Sequence, residues 1–152
     1  MGYSRTINQE EESKTAKVCG RNLRISPKHS VEIARTIKGM RVDQAKVFLE
    51  QVQKKKAAVP FRRHKKKVGH KRLFKWYAGR YPVKASSRFY RLLEEAEANA
   101  EYKGLDNERL RIIHASAYKG RVYQGYISRA YGRSSPYNHE TTNVELIVEE
   151  VG

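Results

Sequence analysis

The chain has 152 residues, which suits one domain with an extension. Lys and Arg number 32 against 16 Asp and Glu, a formal net charge of +16, and hydrophobic residues make up 39%. A chain this cationic has a modest core, repels itself when alone and calls for a polyanion. Nucleic acid fits better than a membrane surface. No run approaches ~20 apolar residues and no apolar signal-like stretch opens the sequence, which implies a soluble intracellular protein. The lone Cys19 excludes an internal disulfide and a Cys-x-x-Cys metal site, and reads as a small, semi-buried strand thiol.

In chain order, Met1–Thr15 is polar with an acid cluster and predicts an irregular lead-in. Ala16–Ile25, AKVCGRNLRI, partly alternates and predicts a strand. Ser26-Pro27 marks a helix start, with Ser as N-cap and Pro at the first helical position. Val31, Ala34 and Ile37 recur at helical spacing, and Gly39 ends that helix. Asp43 reads as the cap of the next helix, whose stripe is Ala45, Phe48, Leu49 and Val52.

Lys54–Pro82 follows, with twelve Lys/Arg and Phe61, Phe74, Trp76, Tyr77 and Tyr81 interleaved. It shows no sustained period, and a loop this long is foreign to a compact domain unless something orders it. Arg with aromatics suits RNA, because guanidinium groups fork onto phosphates and ring faces stack on unpaired bases. Alternatively, Phe61, Trp76 and Tyr81 tuck the loop onto the helices. Pro82–Lys103 is the clearest helix, with Ala85, Phe89, Leu92, Leu93, Ala96 and Ala100 on one face and Gly104 at its end.

Arg109–Tyr118 alternates like a half-buried strand, and Val122–Tyr131 and Tyr137–Val151 flank a Gly/Ser/Pro tip. These three segments predict an antiparallel meander with one very long hairpin. The hairpin end, GYISRAYGRSSPYNH from Gly125 to His139, carries two arginines and three tyrosines but no acid. At about ten residues per strand and roughly 3.3 Å per residue, the finger spans some 30 Å. No Asp or Glu occurs from Gln51 to Leu93 or from Arg109 to His139. Solvated faces mix signs, so two acid-free stretches of this length favour a polyanion partner.

Catalytic patterns are lacking. GRSS after Tyr131 leads into a turn without the Lys-Ser/Thr pair of a phosphate-binding loop. His64 and His70 have no third ligand nearby in sequence, His114 and His139 form an acid/base pair only in principle, and the basic segments hold no acids for a two-metal nuclease. The helices from Pro27 and Asp43 could pass for a helix-turn-helix, which leaves a free RNA- or DNA-binding regulator as the alternative. Asp43 and Glu50 on the second helix suit a major groove poorly.

In order and spacing, ISPKHSVEIARTIKGM, DQAKVFLE, LLEEAEANAEYKGLD, SRAYGRSS, the loop VPFRRHKKKVGHK to AGRYPVKAS, and VELIVEE resemble one family: the universal large-subunit ribosomal protein L-twenty-two, in its archaeal/eukaryotic form. Ser128 stands where that family often has Pro. The resemblance implies an α+β fold, three helices packed on a small antiparallel sheet with a long β-hairpin extension. It also implies a single domain over residues 1–152, with a basic insertion at 54–81 and the extended hairpin at 119–141. Members bind large-subunit rRNA, aid its assembly, and line the peptide exit tunnel with the hairpin, beside ribosomal protein L-four and the nascent polypeptide. A cytoplasmic, ribosome-bound, non-enzymatic protein without metal or cofactor follows, with no membrane partner. The residues expected on rRNA are Arg62, Arg63, Lys65, Lys66, Lys67, Lys71, Arg72, Lys75 and Arg80 in the loop, and Lys119, Arg121 and Tyr123 on the hairpin flanks. Arg129, Tyr131, Gly132 and Arg133 would form the tunnel tip.

Overall fold

The computed structural model describes residues 3–151; Met1, Gly2 and Gly152, with the side chains of Gln9 and Glu10, lie outside it. The elements are α1 (Gln9–Glu12), β1 (Thr15–Leu23), α2 (Pro27–Ile37), α3 (Val42–Gln53), β2 (Val59–Pro60), β3 (Gly79–Arg80), α4 (Val83–Tyr102), β4 (Leu110–Tyr123), β5 (Tyr126–Ser128), β6 (Ser134–Pro136) and β7 (His139–Glu150). The α+β architecture expected from the sequence is present: helices pack on a small antiparallel sheet, and a β-hairpin extends from it.

Alternation in β7 explains why it is the central strand. Val144, Leu146 and Val148 are buried on its helix side. Glu145 and Ile147, on the other side, are buried too. Both edges of β7 are paired, by β1 and by β4, in the order β1-β7-β4. This corrects the expected meander. Arg109–Tyr118 and the start of Val122–Tyr131 form one strand, β4, and the sheet's third strand comes from the other end of the chain. The apparent break at Lys119-Gly120-Arg121 is a register shift between Lys119 and Val122, where the strand bulges and continues.

α4 delivers the predicted face without change: Ala85, Phe89, Leu92, Leu93, Ala96 and Ala100 are all buried. Ala45, Leu49 and Val52 of α3 join them in the core, and Phe48 packs on it half-buried. Two local details depart from the sequence reading. The α2 stripe is Ser30, Ile33, Ala34 and Ile37, with Val31 only half-buried at its flank. α3 starts one residue before Asp43, with Arg41 as its N-cap. The Arg41–Arg111 bridge holds the chain extended up to that point, and Asp43 lies in the first turn, where its charge suits the helix dipole. Ser26 occupies the N-cap of α2, but its hydroxyl makes no cap bond. Gly39, at φ +88°, ends α2 and donates its N–H to the Ile112 carbonyl, 2.8 Å.

The lead-in expected as irregular contains one turn of helix, α1, and is tied to the outer face of the sheet. The Ser4 amide and hydroxyl donate to the buried Glu145 carboxylate at 3.0 and 2.7 Å, and the Tyr118 hydroxyl donates to its other oxygen at 2.7 Å. Burial raises the Glu145 pKa, but these donors outweigh it and hold the carboxyl below its ordinary value.

Candidate nucleic-acid interface

The basic loop has few apolar residues, so its order needs another source. Part of it is packing: Ala57, Ala58, Val59, Phe61 and Ala78 are buried, and β2 pairs antiparallel with β3. Part is the loop's own backbone pairing, in which Lys71 and Trp76 bridge and the Gly79 amide donates to the Gly69 carbonyl, and at its start one carboxylate adds to these. Glu32 on α2 is fully buried, and it accepts the backbone amides of Arg62, Arg63 and His64 at 3.1, 2.8 and 2.8 Å. Burial alone would raise its pKa, but the three amides and the charge of Arg35 more than offset this and hold it below the usual carboxylate value. Three successive amides turned to one anion fix the backbone, so the Arg62, Arg63 and Lys65 side chains point away into solvent. Sequence reasoning missed Glu32. A Glu one position after the Val31 expected on the apolar face was the only signal.

The loop aromatics divide. Phe61 is a core clamp, with His29 edge-on at 5.4 Å and the Arg80 guanidinium 6.0 Å from its ring. Trp76 is half-buried, stacked on Phe74 at 5.4 Å, and lines a groove of about 380 Å³ with Arg62, Lys65, Lys75 and Tyr77. Lys71 sits over the Tyr81 ring at 5.1 Å. A second groove, about 490 Å³, is lined by Ser26, Lys28, His29, Phe61, Arg63, His64, Lys66, Val68 and Arg80. Neither groove has an acid in its lining. Burial, with Arg80 nearby, keeps the His29 pKa below its ordinary value. Lys67, Arg72 and Lys75 are exposed around the loop's rim.

The hairpin leaves the sheet where β1 ends. Pairing of β1 with β7 stops at Leu23 opposite Thr142, and beyond it β4 and β7 run on as a two-stranded ribbon to Tyr123 opposite His139. Asn22, in the left-handed region at φ 49°, clasps the root. Its side-chain oxygen accepts from the Arg121 backbone amide (3.1 Å), its backbone amide donates to Asn143 Oδ1 (2.8 Å), and the Thr141 hydroxyl, 3.3 Å from the same Asn22 oxygen, donates to the Arg121 carbonyl (2.7 Å). Gly120 makes this possible: a Cβ there would stand 2.7–2.9 Å from Thr141, Asn143 and Asn22. On the flanks, Lys119 is paired with Glu140 at 2.6 Å, and Arg121 lies over Tyr123 at 5.6 Å.

At the end, β5 pairs with β6, and the chain reverses through Tyr131 (φ 58°) and Gly132 (φ 66°), the two successive left-handed residues that suit a tight hairpin. Arg129 Nε donates to Ser135 Oγ at 3.3 Å. Arg129, Tyr131, Gly132 and Arg133 are all exposed, Tyr131 at 94%.

The histidine pair raised by the sequence is not assembled. His114 faces Ile147 and His139 faces Tyr123, nine residues further along β4. His114 lies 3.0 Å from the Ser4 hydroxyl, but that hydroxyl donates to Glu145, so His114 must donate to Ser4 and cannot be its base. Among the described residues no group of three or more His, Cys, Asp and Glu is placed to hold a metal, and no helix is long and apolar enough to cross a membrane.

Residues 18–149 match the family described as ribosomal protein L22p/L17e. The chain belongs to that family. It is 55% identical to the large ribosomal subunit protein uL22 of Methanopyrus kandleri over 97% of its own length and 94% of the relative's. To the protein of the same name from Archaeoglobus fulgidus it is 53% identical over 92% and 91%, and to that from Methanocaldococcus jannaschii 48% over 99% and 95%. The matched span takes in the basic loop, α4 and the whole hairpin, and the archaeal relatives agree with the resemblance read from the sequence.

Proposed function

We propose that this chain is a structural, non-enzymatic constituent of the large ribosomal subunit, that it binds large-subunit rRNA through the basic loop and the hairpin flanks, and that its hairpin tip lines the peptide exit tunnel. One observation supports this beyond family membership. Ser26 lines both the loop groove, with Lys28, Arg63, Lys66 and Arg80, and a groove at the hairpin root, with Arg24 and Lys84, so the two acid-free segments adjoin across the start of α2, and we read them as one cationic surface. Arg62, Arg63, Lys65, Lys66, Lys67, Lys71, Arg72, Lys75 and Arg80 supply its loop side, and Lys119, Arg121 and Tyr123 the finger side. A surface of this kind gains affinity by displacing counterions from the phosphate backbone.

Among the described residues the finger beyond Tyr123 has no third strand and no apolar face, which suits insertion into a polyanionic channel rather than packing on a protein core. Ribosomal protein L-four and the nascent polypeptide are its neighbours in this reading, in the cytoplasm on the ribosome. The alternative, a free regulator using α2 and α3 as a helix-turn-helix, is disfavoured because Ala45, Leu49 and Val52 of α3 are spent on the core while Asp43 and Glu50 face solvent.

Gradient sedimentation of a lysate containing the tagged chain tests the proposal. Co-migration with the large subunit through a moderate-salt wash is expected, and recovery only in the light fractions would overturn it. A photoreactive residue at Tyr131 tests the tip: crosslinks to a stalled nascent chain are expected, whereas crosslinks to rRNA alone would leave the finger as an RNA clamp.

A further inference from the structure

A groove of about 780 Å³ opens at the root of the hairpin, between the end of β1, the start of α2 and the start of α4. That volume is in the range of small-ligand sites. Its chemistry is unusual for an exposed ribbon. Tyr123 and His139 are direct cross-strand partners, so their side chains share one face. Tyr137 stands edge-on to His139, ring centroids 4.8 Å apart at 89°. Tyr137 comes this close because Gly125 lies opposite: the Tyr137 amide donates to the Gly125 carbonyl at 2.6 Å, and a Cβ on Gly125 would stand 2.6 Å from the Tyr137 carbonyl oxygen.

Two cations also line the groove, Arg24 just before α2 and Lys84 in the first turn of α4, both exposed and neither paired with an acid among the described residues. The one acid in the lining, Glu140, is held by Lys119 at 2.6 Å. The groove is therefore lined by three rings from the hairpin and by two unpaired cations from outside it, with one face of Tyr123 covered by Arg121 at 5.6 Å. Tyr123 and Tyr137 remain 45% and 52% exposed, so no described segment of the chain covers them.

We propose that this groove receives one unpaired, extruded nucleotide of rRNA, its base against Tyr137, Tyr123 and His139 and its phosphate against Arg24 and Lys84. A base inside a duplex presents no free face to an aromatic ring, and a duplex is too wide to enter a cleft at the foot of a two-stranded ribbon. A free anion would need the cations but not the three rings. An apolar peptide would need the rings but would leave both cations unmatched. The assignment rests on the rRNA-binding reading and adds to it a single-nucleotide site at the finger's base.

The test uses the full chain in assembled large subunits, with the subunit's own rRNA as probe. A photoreactive residue at Tyr137 is expected to crosslink to one unpaired nucleotide, and that base is expected to become accessible to chemical modification in Tyr137→Ala particles but to stay protected in Tyr137→Phe particles. With an rRNA fragment spanning that nucleotide, Tyr137→Ala is expected to weaken binding between about five- and about 150-fold, the worth of one stacked base. Crosslinks confined to paired nucleotides or to a neighbouring protein, or a base equally protected in Tyr137→Ala, would overturn the proposal. Tyr137 lies outside the core, so its loss leaves folding intact. Co-sedimentation of the unsubstituted chain is measured in parallel. If it fails, the ribosomal reading falls; if it holds while the crosslink goes elsewhere, only the nucleotide site does.

Discussion

Glu32→Gln is the smallest change that tests how the basic loop is held. Glu32 Oε1 accepts from Arg63 and His64, and Oε2 from Arg62. Glutamine keeps one acceptor oxygen but turns an NH2 toward a backbone N–H, so one charge-assisted bond becomes a donor facing a donor and two others lose their charge. Bonds to a charged group contribute about 1.5–3 kcal/mol each, and a buried unmet donor costs about 1–3 kcal/mol. The loop can relax toward water, so a loss of about 2–3 kcal/mol is expected, a large part of the stability of a small domain. Denaturant unfolding gives that figure, and hydrogen exchange reports the Arg62, Arg63 and His64 amides directly. Glu32 is held below its ordinary pKa, so its ionisation stabilises the fold. That contribution is complete above about pH 4.5, the ordinary value, and is lost as pH falls through the lower folded value. Glu32→Gln should remove this part of the acid limb and leave the part due to Glu145, which is shifted in the same direction. A stability change under about 0.5 kcal/mol, with unchanged exchange at the three amides, would refute the view that Glu32 orders the loop.

Replacing Arg62, Arg63 and Lys65 together with Ala should flatten the slope of log K against log salt for an rRNA fragment by up to about 2.7, at roughly 0.9 per phosphate, with the fold intact by circular dichroism; an unchanged slope removes the loop from the interface. Leu93→Ala, at a fully buried site, should cost about 2–5 kcal/mol in chemical denaturation, and a loss under about 0.5 kcal/mol would show that the α4 face is misassigned. Asn22→Ala removes the clasp at the hairpin root. Faster exchange of the Arg121 amide with little change in the exchange of the β1–β7 ladder is expected, and equal loosening of both would mean that the clasp is part of the global fold.

Some of this protein is written locally in its sequence. The α4 face, the alternation that buries Val144, Leu146 and Val148, and the two acid-free segments follow from neighbours a few residues apart, because helix and strand periods are local properties and charge is additive along the chain. Even the exposed finger was legible, since a ribbon of Arg, Tyr, Gly and Ser has no face to bury. What only the tertiary structure decided are the choices between distant partners. β1, not a third C-terminal segment, completes the sheet, because an interior strand with two buried faces must pair on both edges and the chain's start supplies the second edge. Val31 yields its place to Ile33 and the buried Glu32, because a carboxylate enters the interior when three amides some thirty residues away meet it. Asn22 becomes the hairpin clasp because its partners, about 100 to 120 residues later, are carried to it by the sheet register. The hairpin-root groove has the same origin: its cations come from the start of two helices' territory and its rings from the finger, and no period in the sequence links residues whose only common property is the space between them.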